Sequence, residues 1–219
     1  TDGSLDYGPL IVETSQPCYD FAARKYLKNS NMKIIWDIKV ENNKSILNNV
    51  FFTTGGSTAV DTALRTMQYF NNRRGLPEKK MIIAREKGYH GSTYLAHSVT
   101  GKERDKSHFD FATNLVQFLP DVNPYIRPDG MSIEDWCDAK VEDLREMIKQ
   151  IGADKIGAFI AEPILSSGGV IVPAKGYQKR TWEICQENDI LYISDEVVTG
   201  FGRLGHWFAS EEVFEIIPD

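Results

Sequence analysis

The sequence contains no long apolar run, few cysteines and no excess of positive charge. No apolar run approaches the ~20 residues that a helix needs to cross a bilayer, so we expect no membrane partner. Lysine and arginine number 25 against 31 aspartate and glutamate residues, a net charge of −6, which argues against a nucleic-acid partner. Cys18, Cys137 and Cys185 are widely spaced and odd in number, which argues against a disulfide framework or a zinc site. They predict reduced thiols and a cytoplasmic location.

Two familiar nucleotide-binding motifs are also missing. The glycine-rich stretch Gly55-Gly-Ser-Thr58 has neither the G-x-G-x-x-G spacing of dinucleotide sites nor the G-x-x-x-x-G-K-[ST] spacing of P-loops. What remains is the composition of an ordinary globular protein, with 42% hydrophobic and 26% charged residues.

Strand-like and helix-like segments alternate along the chain. Strands are predicted at Val50–Thr53, Met81–Ala84, Leu115–Leu119, Ile156–Ala161 and Ile190–Ser194. Helices are predicted at Ser15–Leu27, Ser57–Asn71, Ser92–Val99, Ile133–Ile151 (ended by Gly152) and Gly176–Asn188. The apolar stripe of the second helix is predicted to consist of Ala59, Ala63, Met67 and Phe70. This alternation predicts an α/β fold with a mainly parallel sheet flanked by helices on both faces.

Four unusual sequences each follow directly on a predicted strand. They are Gly55-Gly-Ser57, Tyr89-His-Gly91, Glu162-Pro163 and Asp195-Glu-Val197. Because the carboxyl ends of parallel strands share one edge of a sheet, we expect the four sequences to converge where such folds bind ligands.

The residues in these sequences allow more than one chemical interpretation. The glycines before a helix N-terminus suit a phosphate, although a simple N-cap by Ser57 or Thr58 is an alternative. Tyr89 could stack on a flat ligand. Asp195 requires a cation, which could be an Arg or Lys of this chain, a metal or a protonated cofactor ring nitrogen. Glu196 should point the other way, towards Arg203 or Lys175. A metal site is disfavoured, because Glu162 and Asp195 alone supply too few ligands.

Taken in order, four motifs resemble the class III (omega) aminotransferases, which are fold-type I enzymes dependent on pyridoxal 5′-phosphate (PLP). The motifs are Gly55-Gly-Ser-Thr-Ala59, Tyr89-His-Gly91, Ala161-Glu-Pro-Ile164 and Asp195-Glu-Val-Val-Thr-Gly-Phe-Gly-Arg203. The stretch Phe51–Ala59 resembles the branch that uses pyruvate as amino acceptor with omega-amino donors.

The resemblance implies a role for each candidate residue. Gly56 and Ser57 would hold the cofactor phosphate. Tyr89 and Val197 would pack on opposite faces of the pyridine ring, and Asp195 would pair with its nitrogen. Glu162 would be a nearby acid that helps to fix Asp195 or the region of the ring hydroxyl, and His90 would be an orienting partner for Asp195. No metal is implied.

The resemblance also implies how much of an enzyme is present. Residues 1–49 would be a partial N-terminal part and 50–219 the central part of the large PLP-binding domain, with the C-terminal domain absent. The family's Schiff-base lysine would lie a few residues beyond Asp219. We therefore expect this chain alone to form no covalent bond with PLP and to be inactive.

For the full-length protein, the resemblance implies a homodimeric transaminase. It would move an amino group from a small omega-amino donor to a keto acid such as pyruvate. Two alternatives remain open: another fold-type I PLP enzyme, such as a decarboxylase, racemase or aminomutase, and a non-catalytic relative with a binding role.

Overall fold

The computed structural model describes residues 10–11 and 50–219 of the chain. The strands are β1 (Leu10–Ile11), β2 (Val50–Phe51), β3 (Met81–Arg85), β4 (Val116–Leu119), β5 (Ile156–Ala161) and β6 (Leu191–Ser194). The α-helices are α1 (Gly56–Arg73), α2 (Tyr94–Val99), α3 (Glu103–Lys106), α4 (Ile133–Ile151), α5 (Tyr177–Glu187) and α6 (Ala209–Glu212). The helix predicted at Ser15–Leu27 lies outside the described residues.

Four strands form one parallel sheet in the order β4-β3-β5-β6. Every residue of the interior strand β5 is buried, because helices cover both faces of the sheet. The predicted α/β fold with a mainly parallel sheet is therefore confirmed. The short strand β2 pairs instead with β1, in a separate two-stranded sheet. The prediction that all four motifs follow strands of one sheet is thus wrong for Gly55-Gly-Ser57.

Side chains of alternate strand residues point into two hydrophobic clusters on opposite faces of the sheet. On one face, α1 and α2 pack on the sheet through Val60, Leu64, Met67, Ala96 and Val99, against Ile82, Ala84, Ala158 and Ile160. On the other face, α4 and α5 pack through Val141, Leu144, Ile148, Tyr177 and Ile184, against Ile83, Phe159 and Ala161. The carboxyl ends of β3, β5 and β6 are thereby held at one edge between two helical layers.

Helix α4 has the predicted bounds, and its caps explain why. The Ser132 hydroxyl accepts a hydrogen bond from the backbone N–H of Asp135 at 2.9 Å, which satisfies a donor in the first turn. At the other end Gly152 adopts φ 95°, a conformation that glycine tolerates and that stops the helix.

The buried stripe of α1 differs from the predicted one. It comprises Ala59, Val60, Leu64, Met67 and Asn71. Of the predicted members outside this stripe, Ala63 is only half-buried and Phe70 is 42% exposed. The Phe70 ring lies under the Arg74 guanidinium, 4.7 Å from its centroid. The helix is rotated because β5 requires Met67 and Asn71 to face Gly157.

Gly157 makes the contact between α1 and β5 possible. A Cβ on this residue would overlap the Met67 sulfur and lie 2.8 Å from the carbonyl oxygen of Lys79. We expect Gly157→Ala to lower the free energy of unfolding by about 1–3 kcal/mol, because the Lys79 carbonyl belongs to the backbone that leads into β3 and cannot yield without shifting that segment. Urea denaturation measures this. Gly55→Ala is the control, since a Cβ there meets nothing within 4 Å, and an equal loss in both variants would contradict the packing argument.

Candidate active site

The edge of the sheet brings together the loops that follow β3, β5 and β6. These loops carry Tyr89 and His90, Glu162, and Asp195 respectively. Asp195 continues the pairing of β6, since its backbone N–H donates to the carbonyl of Ala161 at 2.9 Å. Three of the four predicted motifs therefore meet because parallel strands place them side by side.

The fourth motif reaches the same place by a different route. The Ser57 hydroxyl accepts the backbone N–H of Ser92 at 3.0 Å, and the Thr93 hydroxyl donates to the Ser57 carbonyl at 3.1 Å. Gly91 allows this approach: a Cβ there would lie 2.5 Å from the Ser57 Oγ atom. The N-terminus of α1 is thus docked against the loop after β3 by direct contact, without a shared sheet.

Asp195 and His90 form a buried pair. The His90 Nδ1 atom lies 2.7 Å from Asp195 Oδ2, and the two side chains are 1% and 4% exposed. Because a carboxylate only accepts, Nδ1 carries the hydrogen of this bond. Among the described residues, no Lys or Arg forms an ion pair with Asp195. In this described part of the chain, the one donor to its second oxygen, Oδ1, is the Val197 N–H at 3.2 Å. The pair therefore leaves a carboxylate oxygen able to meet a further donor.

Glu162 lies behind this pair and holds the backbone of the loop after β3. Its Oε1 accepts the N–H of Tyr89 at 2.9 Å, and its Oε2 accepts the N–H of Ser166 at 3.2 Å. Burial raises the pKa of this carboxyl, while the nearby His90 and the Tyr89 N–H oppose the rise. Glu162 makes no hydrogen bond to Asp195, so it acts on the site through the position of Tyr89.

Two side chains remain accessible beside the Asp195 carboxylate. Tyr89 is 39% exposed and Val197 is 49% exposed. Both belong to loops whose backbones are held by the carboxylates of Glu162 and Asp195. An aromatic ring and a branched aliphatic group are suitable surfaces for a flat heterocycle.

No side chain of the described residues caps the N-terminus of α1. Its N-cap Gly55 makes no side-chain cap, and the first turn contains no acidic residue. The Thr58 hydroxyl, an alternative cap, donates to the Gly55 carbonyl at 2.7 Å and so leaves the N–H groups alone. Ser57 uses its oxygen as an acceptor, which leaves its hydrogen to donate. Free N–H groups and the helix dipole together favour a phosphate.

Glu196 has partners other than the predicted Arg203 or Lys175. It accepts hydrogen bonds from the hydroxyl of Thr199 at 2.5 Å and from the N–H groups of Ala209 and Ser210 at 3.1 and 2.7 Å. The residue thus holds the loop after Asp195 against the start of α6. Adjacent residues do point to opposite sides, but backbone donors take the place of the expected cation.

Two buried residues that support the site were not predicted. The Thr100 hydroxyl accepts the N–H of His90 at 3.0 Å and is itself fully buried. Arg85 is 1% exposed and donates to the carbonyl of Glu162. Nothing in the sequence around Thr100 marks it, whereas an arginine at the end of the apolar run Met81–Ala84 was a usable signal.

The described residues, 10–11 and 50–219, contain neither a candidate metal cluster nor a helix suited to cross a membrane. There, no three His, Cys, Asp or Glu side chains are grouped closely enough to hold a metal ion. In the same residues, no helix combines the length and apolar character needed to cross a membrane.

Comparison with known proteins identifies the family. Residues 18–219 match the model of the family described as aminotransferase class-III. The chain is 41% identical over 172 residues to a vanillin aminotransferase from Capsicum frutescens, covering 78% of this chain and 37% of that protein. It is 41% identical over 167 residues to the putrescine–pyruvate aminotransferase of Pseudomonas aeruginosa, covering 75% of this chain and 36% of that protein.

A solved structure agrees with this match. The omega transaminase from Pseudomonas jessenii in complex with PMP superposes with a TM-score of 0.78 and 38% identity, over 82% of this chain and 40% of that one. The chain therefore spans between a third and two fifths of the length of these relatives. This chain belongs to the class-III aminotransferase family.

Proposed function

We propose that this chain is part of a PLP-dependent transaminase that moves an amino group from an omega-amino donor to a keto acid such as pyruvate. The observation that carries the proposal is the buried Asp195–His90 pair, placed at the sheet edge beside an anion-ready helix N-terminus. A single ligand with a cationic ring nitrogen and a phosphate satisfies both features. PLP has both groups, and the relative from Pseudomonas jessenii is in complex with PMP.

The residues present fit that cofactor. Gly56 and Ser57, with free donors at the start of α1, would hold the phosphate. Tyr89 and Val197 would lie against opposite faces of the ring, since both are accessible beside Asp195. Asp195 would accept the hydrogen of the ring nitrogen through the oxygen that has only one weak protein partner. Bound PLP supplies an electron-withdrawing ring that takes up the electrons left when the substrate's proton departs.

The protein's own contribution is to hold charge and orientation. Asp195 would keep a proton on the ring nitrogen of bound PLP, because an anion at 4% exposure is poorly compensated by water. His90 Nδ1–H fixes the orientation of the Asp195 carboxylate. Glu162 anchors the backbone of Tyr89 and so fixes one wall of the ring site. None of these groups transfers the substrate proton.

That step requires a base outside the described arrangement. We propose that it is a lysine beyond Asp219, that residues 50–219 form the central part of the cofactor-binding domain, and that the full-length protein is a cytoplasmic homodimer. The coverage supports the partial extent, since the chain spans 36% of the putrescine–pyruvate aminotransferase and 37% of the vanillin aminotransferase.

The experiment uses the full-length protein saturated with PLP. Pyruvate is mixed with putrescine, 4-aminobutyrate or β-alanine, and alanine formation is followed by chromatography. The proposal expects stoichiometric alanine with at least one donor. Release of carbon dioxide or an isomerised amine without alanine would favour a decarboxylase or aminomutase. Failure to bind PLP at all would favour a non-catalytic relative.

Loss of the Ser57 hydroxyl should weaken binding of the phosphate only. We expect Ser57→Ala to raise the Kd for PLP by about 10-fold, since a hydrogen bond to a charged group contributes about 1.5–3 kcal/mol. The Kd for pyridoxal, which has no phosphate, should not change. Fluorescence titration with both ligands measures this. Thr62→Ala is the control because its hydroxyl donates to the carbonyl of Thr58 within α1. An equal effect on pyridoxal would contradict the assignment.

A further inference from the structure

Arg85 is a buried cation that forms no ion pair with any carboxylate of the described residues. Its side chain is 1% exposed, and its Nη2 donates to the carbonyl of Glu162. Within residues 10–11 and 50–219, its Nε and Nη1 atoms have no hydrogen-bond partner and no carboxylate lies within ion-pair distance. A buried charge without such a partner is expensive. A negatively charged group in the neighbourhood of Arg85 would therefore reduce the free-energy cost of its buried charge.

The surroundings of Arg85 lie in the layer of α4 and α5. Arg85 follows Ile83 by two residues, so it faces the same side of the sheet. The Tyr177 ring lies 5.9 Å from the guanidinium carbon. The neighbouring Gln178 donates to the carbonyls of Glu162 and Pro163 at 3.2 and 2.8 Å. Arg85 and Gln178 thus hold the end of β5 from the side opposite α1.

The side chain of Glu162 connects this layer to the candidate active site. Its carboxylate accepts the Tyr89 N–H at 2.9 Å. The charged or titratable side chains that act on it are Arg85, His90 and Asp195, while Ser166 supplies a neutral N–H. Burial raises the pKa of Glu162 most, whereas His90, the Tyr89 N–H and, to a smaller extent, Arg85 lower it. Arg85 is therefore a permanent positive charge that favours the ionised form of this carboxyl.

We propose that Arg85 is a positioning residue that acts on the cofactor site through Glu162. It fixes the end of β5 by hydrogen bonding and balances the Glu162 carboxylate, which in turn holds Tyr89. The consequence for PLP rests on the proposed function above; the consequence for the Tyr89 backbone does not.

Two substitutions separate charge from shape. Arg85→Gln keeps an amide donor but removes the charge, and Arg85→Lys keeps the charge. Gln178→Met is the matched control, because Gln178 holds the same carbonyl without any charge. The Kd for PLP is measured between about pH 5 and 8 in the full-length protein. Glu162 is the stronger acceptor when ionised, so affinity should fall as pH drops through its pKa.

We expect Arg85→Gln to weaken binding by about 10-fold at neutral pH and to move this acid-side loss to higher pH. Arg85→Lys and Gln178→Met should leave the position of the loss unchanged. If Arg85→Gln loses affinity for PLP at the same pH as the wild type, the role of Arg85 is overturned. If Arg85→Gln does not fold, Glu162→Gln decides: the acid-side loss must disappear, and its persistence would overturn the proposal.

A second measurement needs no cofactor. Hydrogen exchange of the Tyr89 amide in the cofactor-free protein should be about 10-fold faster in Arg85→Gln than in Arg85→Lys. Without the positive charge at position 85, the Glu162 carboxyl is a weaker acceptor for this N–H. Equal protection in the two variants would overturn the proposal. If the wild-type protein fails to bind PLP but the two variants differ in exchange of the Tyr89 amide, the proposed function is contradicted and the role of Arg85 is supported.

Discussion

Replacing Asp195 with asparagine should lower kcat of the full-length protein by on the order of 10²- to 10³-fold, the usual loss when one preorganised electrostatic group is removed. Asparagine has the same shape but no charge, so it cannot hold a proton on the cofactor ring nitrogen. The buried position strengthens the effect, since the Asp195 side chain is 4% exposed and water cannot replace the lost anion. The loss should fall mainly on kcat, because the phosphate contacts at Ser57 remain.

The measurement is steady-state kinetics together with a PLP titration of the same variant. Asp189→Asn is the control: Asp189 is 57% exposed and forms a bidentate pair with Arg74 at 2.8 and 2.9 Å, at the far end of β6. Asparagine also tolerates its φ of 53°. An Asp195→Asn variant with near-normal kcat would show that the carboxylate has only a structural role beside His90.

Substitution of Gly91 by alanine should raise the Kd for PLP by about 100-fold, which corresponds to about 2.7 kcal/mol. Two effects combine at this position. Its φ of 130° is strained for any residue with a Cβ, and that Cβ would lie 2.5–2.8 Å from Oγ, Cα and Cβ of Ser57. Relief of this overlap requires the N-terminus of α1 to move away from the loop that carries Tyr89. The phosphate donors would then be displaced relative to Asp195.

Gly130→Ala separates strain from contact. Gly130 also has positive φ, 80°, but a Cβ there meets nothing within 4 Å. Both variants should lose about 1–3 kcal/mol of stability from backbone strain. In addition to this loss of stability, Gly91→Ala should bind PLP more weakly, whereas Gly130→Ala should not. Urea denaturation and PLP titration on both proteins measure the two effects, and equal Kd values would contradict the docking role of Gly91.

Local pattern was sufficient for the elements whose signals are strong and self-contained. Helix α4 was predicted with its observed bounds because Ser132 caps it and Gly152 ends it within the sequence itself. Strand β5 was predicted with its observed bounds because a fully buried strand is a continuous apolar run between turns. Such features need no knowledge of what packs against them.

Features that depend on distant residues were missed or misassigned. The buried face of α1 is set by its contact with Gly157 on β5, which no periodicity within the helix reveals. Glu196 accepts hydrogen bonds from Ala209 and Ser210, which lie more than ten residues further along the chain. Pairing of β2 with β1 depends on residues 10–11, about forty positions earlier.

For this protein the sequence alone determined the alternation of strands and helices and placed chemically distinctive residues after three strands of one parallel sheet. Its motifs also indicated the aminotransferase family. Only the tertiary structure decided the contacts behind the implied His90–Asp195 pair: Glu162 accepts the Tyr89 N–H, and Arg85 donates to the Glu162 carbonyl. The physical reason is that alternation and caps are encoded by neighbouring residues, whereas a buried charge is stabilised by whichever groups the packing brings near. The sequence therefore indicates that Asp195 requires partners, and its motifs imply His90 as one of them, but only the fold places His90 Nδ1 2.7 Å from the carboxylate.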